Sequence, residues 1–263
     1  MVEAVERQIM RIAVCFFCAL LLSCGEWESA TLGRTSCELR NFNGFSTHIK
    51  MAVDRDNLYI LDNASKVHFY KRDDLYECVF DYQDTYLFTG FPNDVFPSYV
   101  QDKTELKSFA DASVCRNIRD GVWAIYGHEL AVGSNMGLET WNISSCTRTG
   151  SVSSQKVLAL TATGSEYYAA EDLNLARFSK SGSDYRTPIP KFCSKDKVIA
   201  NNYAVYLLDK TCRQIGFFDH QPFWRKTISL DSLGIRGVLD IASGEYSYIY
   251  ILHANGIEKV NVF

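Results

Sequence analysis

Val205-Tyr-Leu-Leu-Asp209 is a short apolar strand that ends in a polar residue, and this motif recurs along the chain. Other copies end at Asp62, Ser134, Glu171 and His253, and a tight turn and a further apolar segment follow each of them. The interval from Asp62 to Ser134 is about twice the others, and a sixth copy, Ser98-Tyr-Val-Gln-Asp102, lies inside it. Six copies at intervals of 32 to 44 residues predict a repeat architecture.

Each period contains more than two strands. In the first copy we expect four, separated by turn residues: Ile49–Val53, Leu58–Asp62, Val67–Lys71 and Glu77–Tyr82. Four short strands in about 40 residues are typical of a propeller blade, and no stretch has the length and period of a solenoid helix. The sequence therefore predicts an all-β fold, a six-bladed β-propeller of four-stranded antiparallel blades.

The last copy lacks a fourth strand. It predicts strands at Gly237–Ala242, Tyr248–His253 and Ile257–Phe263. The segment Ser36–Phe42, before the first blade, is a candidate for the missing strand. An N-terminal strand added to the last blade closes the ring and removes exposed sheet edges. The alternative is a five-bladed ring with residues 83–120 as an insertion.

The N-terminal segment carries an apolar run of 11 residues, Ile12–Leu22, followed by Ser23 and Cys24. The run is too short to span a bilayer and has the length of a signal-peptide core. Leu-Leu-Ser-Cys resembles the bacterial lipobox, which implies acylation of Cys24. We expect a signal peptide over 1–23, a linker over 24–35 and the propeller over 36–263. Because Glu3 and Glu6 are unusual at the start of a signal peptide, Met10 is an alternative start to Met1; a core helix over Ala4–Leu22 is the competing interpretation.

One repeat resembles a known family. Val122–Ser144, with its string Gly137-Leu-Glu-Thr-Trp-Asn-Ile-Ser144, is similar to a bacterial propeller repeat named for a Leu-Val-Ile-Val-Asp phrase. Asn142 stands where that family has Asp. The resemblance implies an extracytoplasmic propeller, often a lipoprotein, and brings no catalytic residues with it.

Six cysteines follow Cys24, and an even number in an exported chain permits disulfides. Two of them flank the inner strands of the fifth blade on one face, so we predict the pair Cys193–Cys212. The other four, on or near outer strands, are either paired or buried thiols: Cys37, Cys78, Cys115 and Cys146. No Cys-x-x-Cys spacing or metal-binding histidine motif occurs, so neither a metal site nor a cofactor is expected.

The polar ends of the six copies lie at equivalent turns and form the candidate ligand-binding residues: Asp62, Asp102, Ser134, Glu171, Asp209 and His253. Such a ring can bind a cation, a glycan or a basic peptide; alternatively, these side chains satisfy turn backbone groups. The sequence thus predicts a binding or scaffold module in the cell envelope, anchored to the lipid bilayer through acylated Cys24, on the outer membrane if the cell is Gram-negative. Its partner at the rim is a protein or a glycan.

Two further hypotheses concern activity and partners. A carbohydrate-active hydrolase or lyase using rim acids is the alternative function, since glycosidases work with carboxylate pairs. The net charge of −4 and the absence of basic runs argue against nucleic-acid binding. Phe91–Ser98, with two prolines, is either a partner-contact loop or a connector packed on the ring.

Overall fold

The computed structural model describes 34–38, 50–53, 57–61, 66–71, 81–84, 99–102 and 104–108, and then 115–262 with gaps at 165, 180–183, 190, 244–247 and 255. The candidate loop Phe91–Ser98, the segment before Arg34, Asp62 and Cys78 lie outside these residues. Arg34–Val262 form one compact unit. The described part of the chain contains no helix with the length and hydropathy needed to cross a bilayer.

Every described element is a β-strand. A first strand, β1 (Arg34–Glu38), precedes sheet 1, which consists of β2 (Lys50–Val53), β3 (Asn57–Leu61), β4 (Lys66–Lys71) and β5 (Asp81–Asp84). Sheet 2 has two described strands, β6 (Tyr99–Asp102) and β7 (Glu105–Ser108). Sheet 3 consists of β8 (Val122–Tyr126), β9 (Glu129–Ser134), β10 (Gly137–Asn142) and β11 (Thr147–Ser153).

The second half of the chain continues the series. Sheet 4 consists of β12 (Val157–Thr163), β13 (Glu166–Glu171), β14 (Asn174–Ser179) and β15 (Tyr185–Pro188). Sheet 5 consists of β16 (Lys197–Ala200), β17 (Val205–Asp209), β18 (Gln214–Phe218) and β19 (Trp224–Ser229). Sheet 6 consists of β20 (Val238–Ser243), β21 (Tyr248–His253) and β22 (Gly256–Asn261), with β1 paired antiparallel to β22.

In sheets 3, 4 and 5 the second strand is the most buried and the last strand is the most exposed. Every residue of β9 and of β13 except the first is buried, whereas most residues of β11 and β19 are exposed. First strands of neighbouring sheets lie side by side: β12 contacts β8 and β16, and β20 contacts β16 and β2. The sheets therefore stack face to face around their first strands, which explains why second strands such as Val205-Tyr-Leu-Leu are apolar on both sides.

Apolar layers between neighbouring sheets form the core. Tyr168 and Leu175 of sheet 4 pack with Leu207 and Phe218 of sheet 5 in one such layer. A second layer joins sheets 3 and 4, and a third joins sheets 2 and 3. Sheets 3 and 4 thus bury both faces against their neighbours, which a single four-stranded sheet cannot achieve alone.

A disulfide reinforces the layer between sheets 2 and 3. Cys115, which bridges to Leu106 of β7, is bonded to Cys146 in the turn between β10 and β11, with 5.4 Å between their Cα atoms. The sequence left this pairing open because outer strands of adjacent blades diverge. The turn at Cys146 approaches the outer part of sheet 2 closely enough to close the bond.

Candidate functional site

The turns between the second and third strands of the sheets form one edge, which we call the rim. Because all sheets share one antiparallel strand order, these turns lie at the same end as the connections between sheets. Contacts between sheets support this: Ser153, at the end of β11, donates a hydrogen bond to Glu171 of sheet 4, and Lys210 of sheet 5 donates to the Leu239 carbonyl of sheet 6. The structure describes the side chains of four candidate residues of the rim: Ser134, Glu171, Asp209 and His253.

Asp209 is fully buried at the end of β17 and accepts five hydrogen bonds. Three come from the backbone N–H groups of Cys193, Ser194 and Cys212, at 2.7, 3.1 and 2.9 Å. Ser194 Oγ and Gln214 Nε2 donate the other two. Burial works to raise the pKa of Asp209, but these hydrogen bonds outweigh it and lower the pKa. The carboxylate therefore stays ionised and joins the turn to the connector from sheet 4.

The disulfide predicted from the sequence lies beside this carboxylate. Cys193 and Cys212 are bonded, with their Cα atoms 5.6 Å apart. The sulfur atoms and a carboxylate oxygen of Asp209 lie within 4.8 Å of one another, which is close enough for a metal site. The two sulfurs are bonded to each other and the carboxylate is fully hydrogen-bonded. The disulfide and the carboxylate therefore stabilise the turn after β17.

Glu171 is the equivalent residue of sheet 4 and is also almost completely buried. Its two carboxylate oxygens accept hydrogen bonds from Ser153 Oγ at 3.2 Å and Arg186 Nε at 3.1 Å. Arg186 also lies over the ring of Phe178. The carboxylate thus connects the last strand of sheet 3 to the last strand of sheet 4.

The remaining candidates differ in what the structure places around them. Ser134 Oγ accepts a hydrogen bond from the N–H of Met136 and caps its turn. His253 Nε2 lies 3.5 Å from Glu258 Oε1 across the β21–β22 pair. Asp102 ends β6, opposite Glu105 of β7. Ligand binding by the six polar residues stays a prediction.

Two large apolar side chains that the repeat pattern did not single out project from the rim. Met136 is 71% exposed in the turn after β9, and Leu173 is 73% exposed in the turn after β13. Each stands two positions beyond the polar end of its repeat, so the two are equivalent residues of neighbouring sheets. Aligning the repeats on their turns rather than on their strands reveals this pair of apolar residues where polar ones are usual.

A polar cluster lies at the opposite edge, where first strands turn into second strands. Tyr168 Oη lies 2.7 Å from Glu166 Oε2 and 3.0 Å from His220 Nδ1, and Arg177 pairs with Glu166. Burial and the hydrogen bond to Glu166 raise the pKa of Tyr168, so its hydroxyl stays protonated. Burial opposes ionisation of Glu166, but bonds from Arg177 and Tyr168 outweigh it and lower the pKa. This arrangement ties sheet 4 to sheet 5.

A partly buried ion pair joins three first strands. Lys197 Nζ of β16 lies 2.6 Å from Asp240 Oδ2 of β20 and donates to the Met51 carbonyl of β2 at 2.9 Å. The Met51 N–H donates to the same Asp240 oxygen at 2.5 Å. The side chain of Asp240 is 6% exposed. One carboxylate thus holds sheets 1, 5 and 6 together at their inner strands.

The comparisons with solved structures bear on the fold. A protein of unknown function from Bacteroides thetaiotaomicron superposes with a TM-score of 0.60 at 9% identity, over 87% of this chain and 72% of that one. A catalytically inactive virginiamycin B lyase from Staphylococcus aureus, solved with quinupristin, superposes with a TM-score of 0.52 at 10% identity, over 88% of this chain and all of that one. The fold is a β-propeller.

Sequence comparison adds nothing to this assignment: no protein-family model matches the chain, and no curated protein matches it either. At 9% and 10% identity, the likeness concerns the fold and carries no activity across. The two disulfides of the described part indicate an oxidising, extracytoplasmic compartment.

Proposed function

We propose that the protein is a binding or scaffold module of the cell envelope, anchored through acylated Cys24, that presents its rim to a protein partner. The exposed pair Met136 and Leu173 carries this proposal. Large apolar side chains that project from equivalent turns of neighbouring sheets contribute little to the fold itself. Each of them gains about 25 cal/mol per Å² when a partner removes it from water.

The rim is suited to binding because its turns are held in place before a partner arrives. The carboxylates of Glu171 and Asp209 and the hydroxyl of Ser134 form hydrogen bonds within the chain. A disulfide fixes the turn after β17 as well. A surface that is already ordered loses less conformational entropy on association, so a small apolar contact contributes more to affinity.

The rim proposal predicts a cross-link that depends on Met136. A photoreactive amino acid at Leu173, in cells that make the protein, should form one discrete adduct, identified by mass spectrometry. Met136→Asp in the same chain should lower the yield about tenfold, because a buried carboxylate opposes the apolar contact. Purified partner should then bind the wild-type chain and lose affinity for Met136→Asp.

The matched control is Asn202→Asp, an exposed change at the opposite edge, which should leave the adduct unchanged. An adduct that survives Met136→Asp would contradict the rim proposal, as would the absence of any adduct at Leu173. An adduct sensitive to glycosidases and resistant to proteases would replace the protein partner by a glycan.

The ring itself is proposed to have six blades, with β1 as the fourth strand of sheet 6. Five four-stranded sheets and one two-stranded sheet among the described residues, in the chain order of the six repeats, support this count. The pairing of β1 with β22 over five residues supports closure. It leaves sheet 6 with the same number of strands as sheets 3, 4 and 5.

Closure predicts a third disulfide, Cys37–Cys78. Cys37 stands opposite Ile257, the second residue of β22, just as Cys115 stands opposite Leu106, the second residue of β7. Cys115 is bonded to the turn before the last strand of the next sheet. Cys78, outside the described residues, stands at the corresponding place in the sequence, between β4 and β5. Peptide mapping without reduction should recover the Cys37–Cys78 pair; free thiols at both positions would contradict it.

A further inference from the structure

We propose that the edge opposite the rim, here called the aromatic edge, faces the membrane, with the side chains of Tyr203 and Phe223 in the bilayer interface. The aromatic edge consists of the turns that follow the first and third strands of the sheets. This inference rests on the proposed anchor at Cys24, and it adds an orientation: the rim points away from the bilayer toward the partner.

The exposed apolar residues divide between the two edges according to chemical type. Met136 and Leu173, both aliphatic, project from the rim. The exposed aromatic residues of the described part all stand at the other ends of the strands: Tyr126, Tyr185, Tyr203, Phe223 and Trp224. They belong to sheets 3, 4 and 5. Aromatic rings with a polar atom at one end favour the boundary between lipid and water, where Trp and Tyr are enriched.

Three of these five aromatic residues belong to sheet 5, at the end of the sheet that we call its tip. Tyr203 lies in the turn between β16 and β17, and Phe223 immediately precedes β19; each is 49% exposed. A hydrogen bond closes the turn that carries Phe223: Asp219 Oδ1 accepts it from the Phe223 N–H at 2.9 Å. The same carboxylate forms an ion pair with Arg225 at 2.5 Å. The tip can therefore approach a headgroup layer without an unpaired negative charge from Asp219.

The chain enters the fold at this same edge. β1 runs antiparallel to β22, and Arg34, its first residue, pairs with Val260 near the end of β22. β22 begins at the rim and ends at the aromatic edge, so β1 starts there. Sheet 6, which β1 joins, neighbours sheet 5 through the contact of β20 with β16.

The tether joins the fold at the aromatic edge, where β1 starts. Cys24 precedes Arg34 by ten residues, a span of about 33–36 Å at full extension. An acylated Cys24 can therefore bring the aromatic edge to the bilayer directly, whereas presenting the rim would use part of this length to run back along the sheet. Because the anchor already confines the chain to the surface, a modest affinity of the aromatic side chains is enough to set its orientation.

Depth-dependent fluorescence quenching tests this orientation on the full lipoprotein. The acylated chain would be reconstituted into phosphatidylethanolamine–phosphatidylglycerol vesicles that contain nitroxide-labelled lipids. A fluorescent amino acid would replace one exposed residue at a time: Asn202 or Gln221 at the aromatic edge, Asn135 or Asp172 at the rim. We expect quenching at the first two positions to exceed quenching at the last two by about fivefold or more.

A paired variant separates orientation from anchoring. Tyr203→Ser combined with Phe223→Ser should abolish the difference between the two edges while fatty-acid incorporation, lost in Cys24→Ser, stays intact. Circular dichroism of the paired variant verifies its folding. In the acylated wild-type chain, equal quenching at both edges or stronger quenching at the rim would overturn the orientation. Neither result would contradict the anchor at Cys24. Absence of fatty acid on Cys24 would overturn the anchor and, with it, this inference.

Discussion

Replacing Asp240 by alanine is expected to lower the free energy of unfolding by about 3–5 kcal/mol. The carboxylate accepts hydrogen bonds from the Met51 N–H and from Lys197 Nζ, so it stabilises contacts among three sheets. Alanine leaves a largely buried ammonium without a counterion and a backbone donor without an acceptor. Urea unfolding with the disulfides intact measures the change.

Two further variants make this prediction specific. Asp231→Ala removes the exposed member of a surface pair with Arg213 and should change stability by at most about 1 kcal/mol. Lys197→Met combined with Asp240→Leu removes both charges and should recover the part of the loss that comes from the uncompensated ion, while the Met51 N–H still lacks its acceptor. A loss below about 1 kcal/mol for Asp240→Ala would show that the pair does not hold the inner strands together.

The second large effect is expected at Asp209. Asp209→Ala removes the acceptor of three backbone N–H groups at the end of β17, and we expect a loss of about 3 kcal/mol. Asp172→Ala, at an exposed residue in the equivalent turn of sheet 4, should stay within about 0.5 kcal/mol. A similar loss in both variants would place the effect in the turn sequence rather than in the buried carboxylate.

The same variant should change the response to acid. The pKa of Asp209 is lower in the folded chain than in the unfolded chain, where aspartate titrates near 3.9. Its contribution is therefore complete above about pH 4 and is lost as the pH falls through the folded pKa. The difference in unfolding free energy between wild type and Asp209→Ala should be constant from pH 7 to about pH 5 and shrink below about pH 4. A constant difference down to pH 2 would contradict the assignment.

In the function proposed above, the two edges of the propeller have different roles. The rim carries Met136 and Leu173 on turns with hydrogen bonds within the chain, and the opposite edge carries aromatic side chains beside the entry of the chain. A rigid ring between them suits a scaffold that holds a partner at a set distance from a membrane. The hydrolase alternative requires two acids free to act on a substrate; Glu171 and Asp209 are each held by bonds within the chain.

Much of the fold follows from local patterns in the sequence. Apolar runs of four to six residues bounded by turn residues predict strands, because a second strand such as β17 is buried on both faces and its ends are not. Tyr248–His253 coincides with β21, and the sixth copy near Asp102 corresponds to β6. The pair Cys193–Cys212 follows from the same reasoning, since one blade contains both residues.

The strand motif, its repetition and hence the all-β propeller class can be read from the amino-acid sequence, because they depend on contacts between neighbours in the chain. Which residues meet across sheets depends on the three-dimensional packing and cannot be read from local patterns. Cys115 and Cys146 stand in different repeats, and Lys197, Asp240 and Met51 come from three. The packing also determines that Asp209 turns inward to backbone donors while Met136 and Leu173 point outward, since the direction of a turn side chain depends on the connector packed beside it.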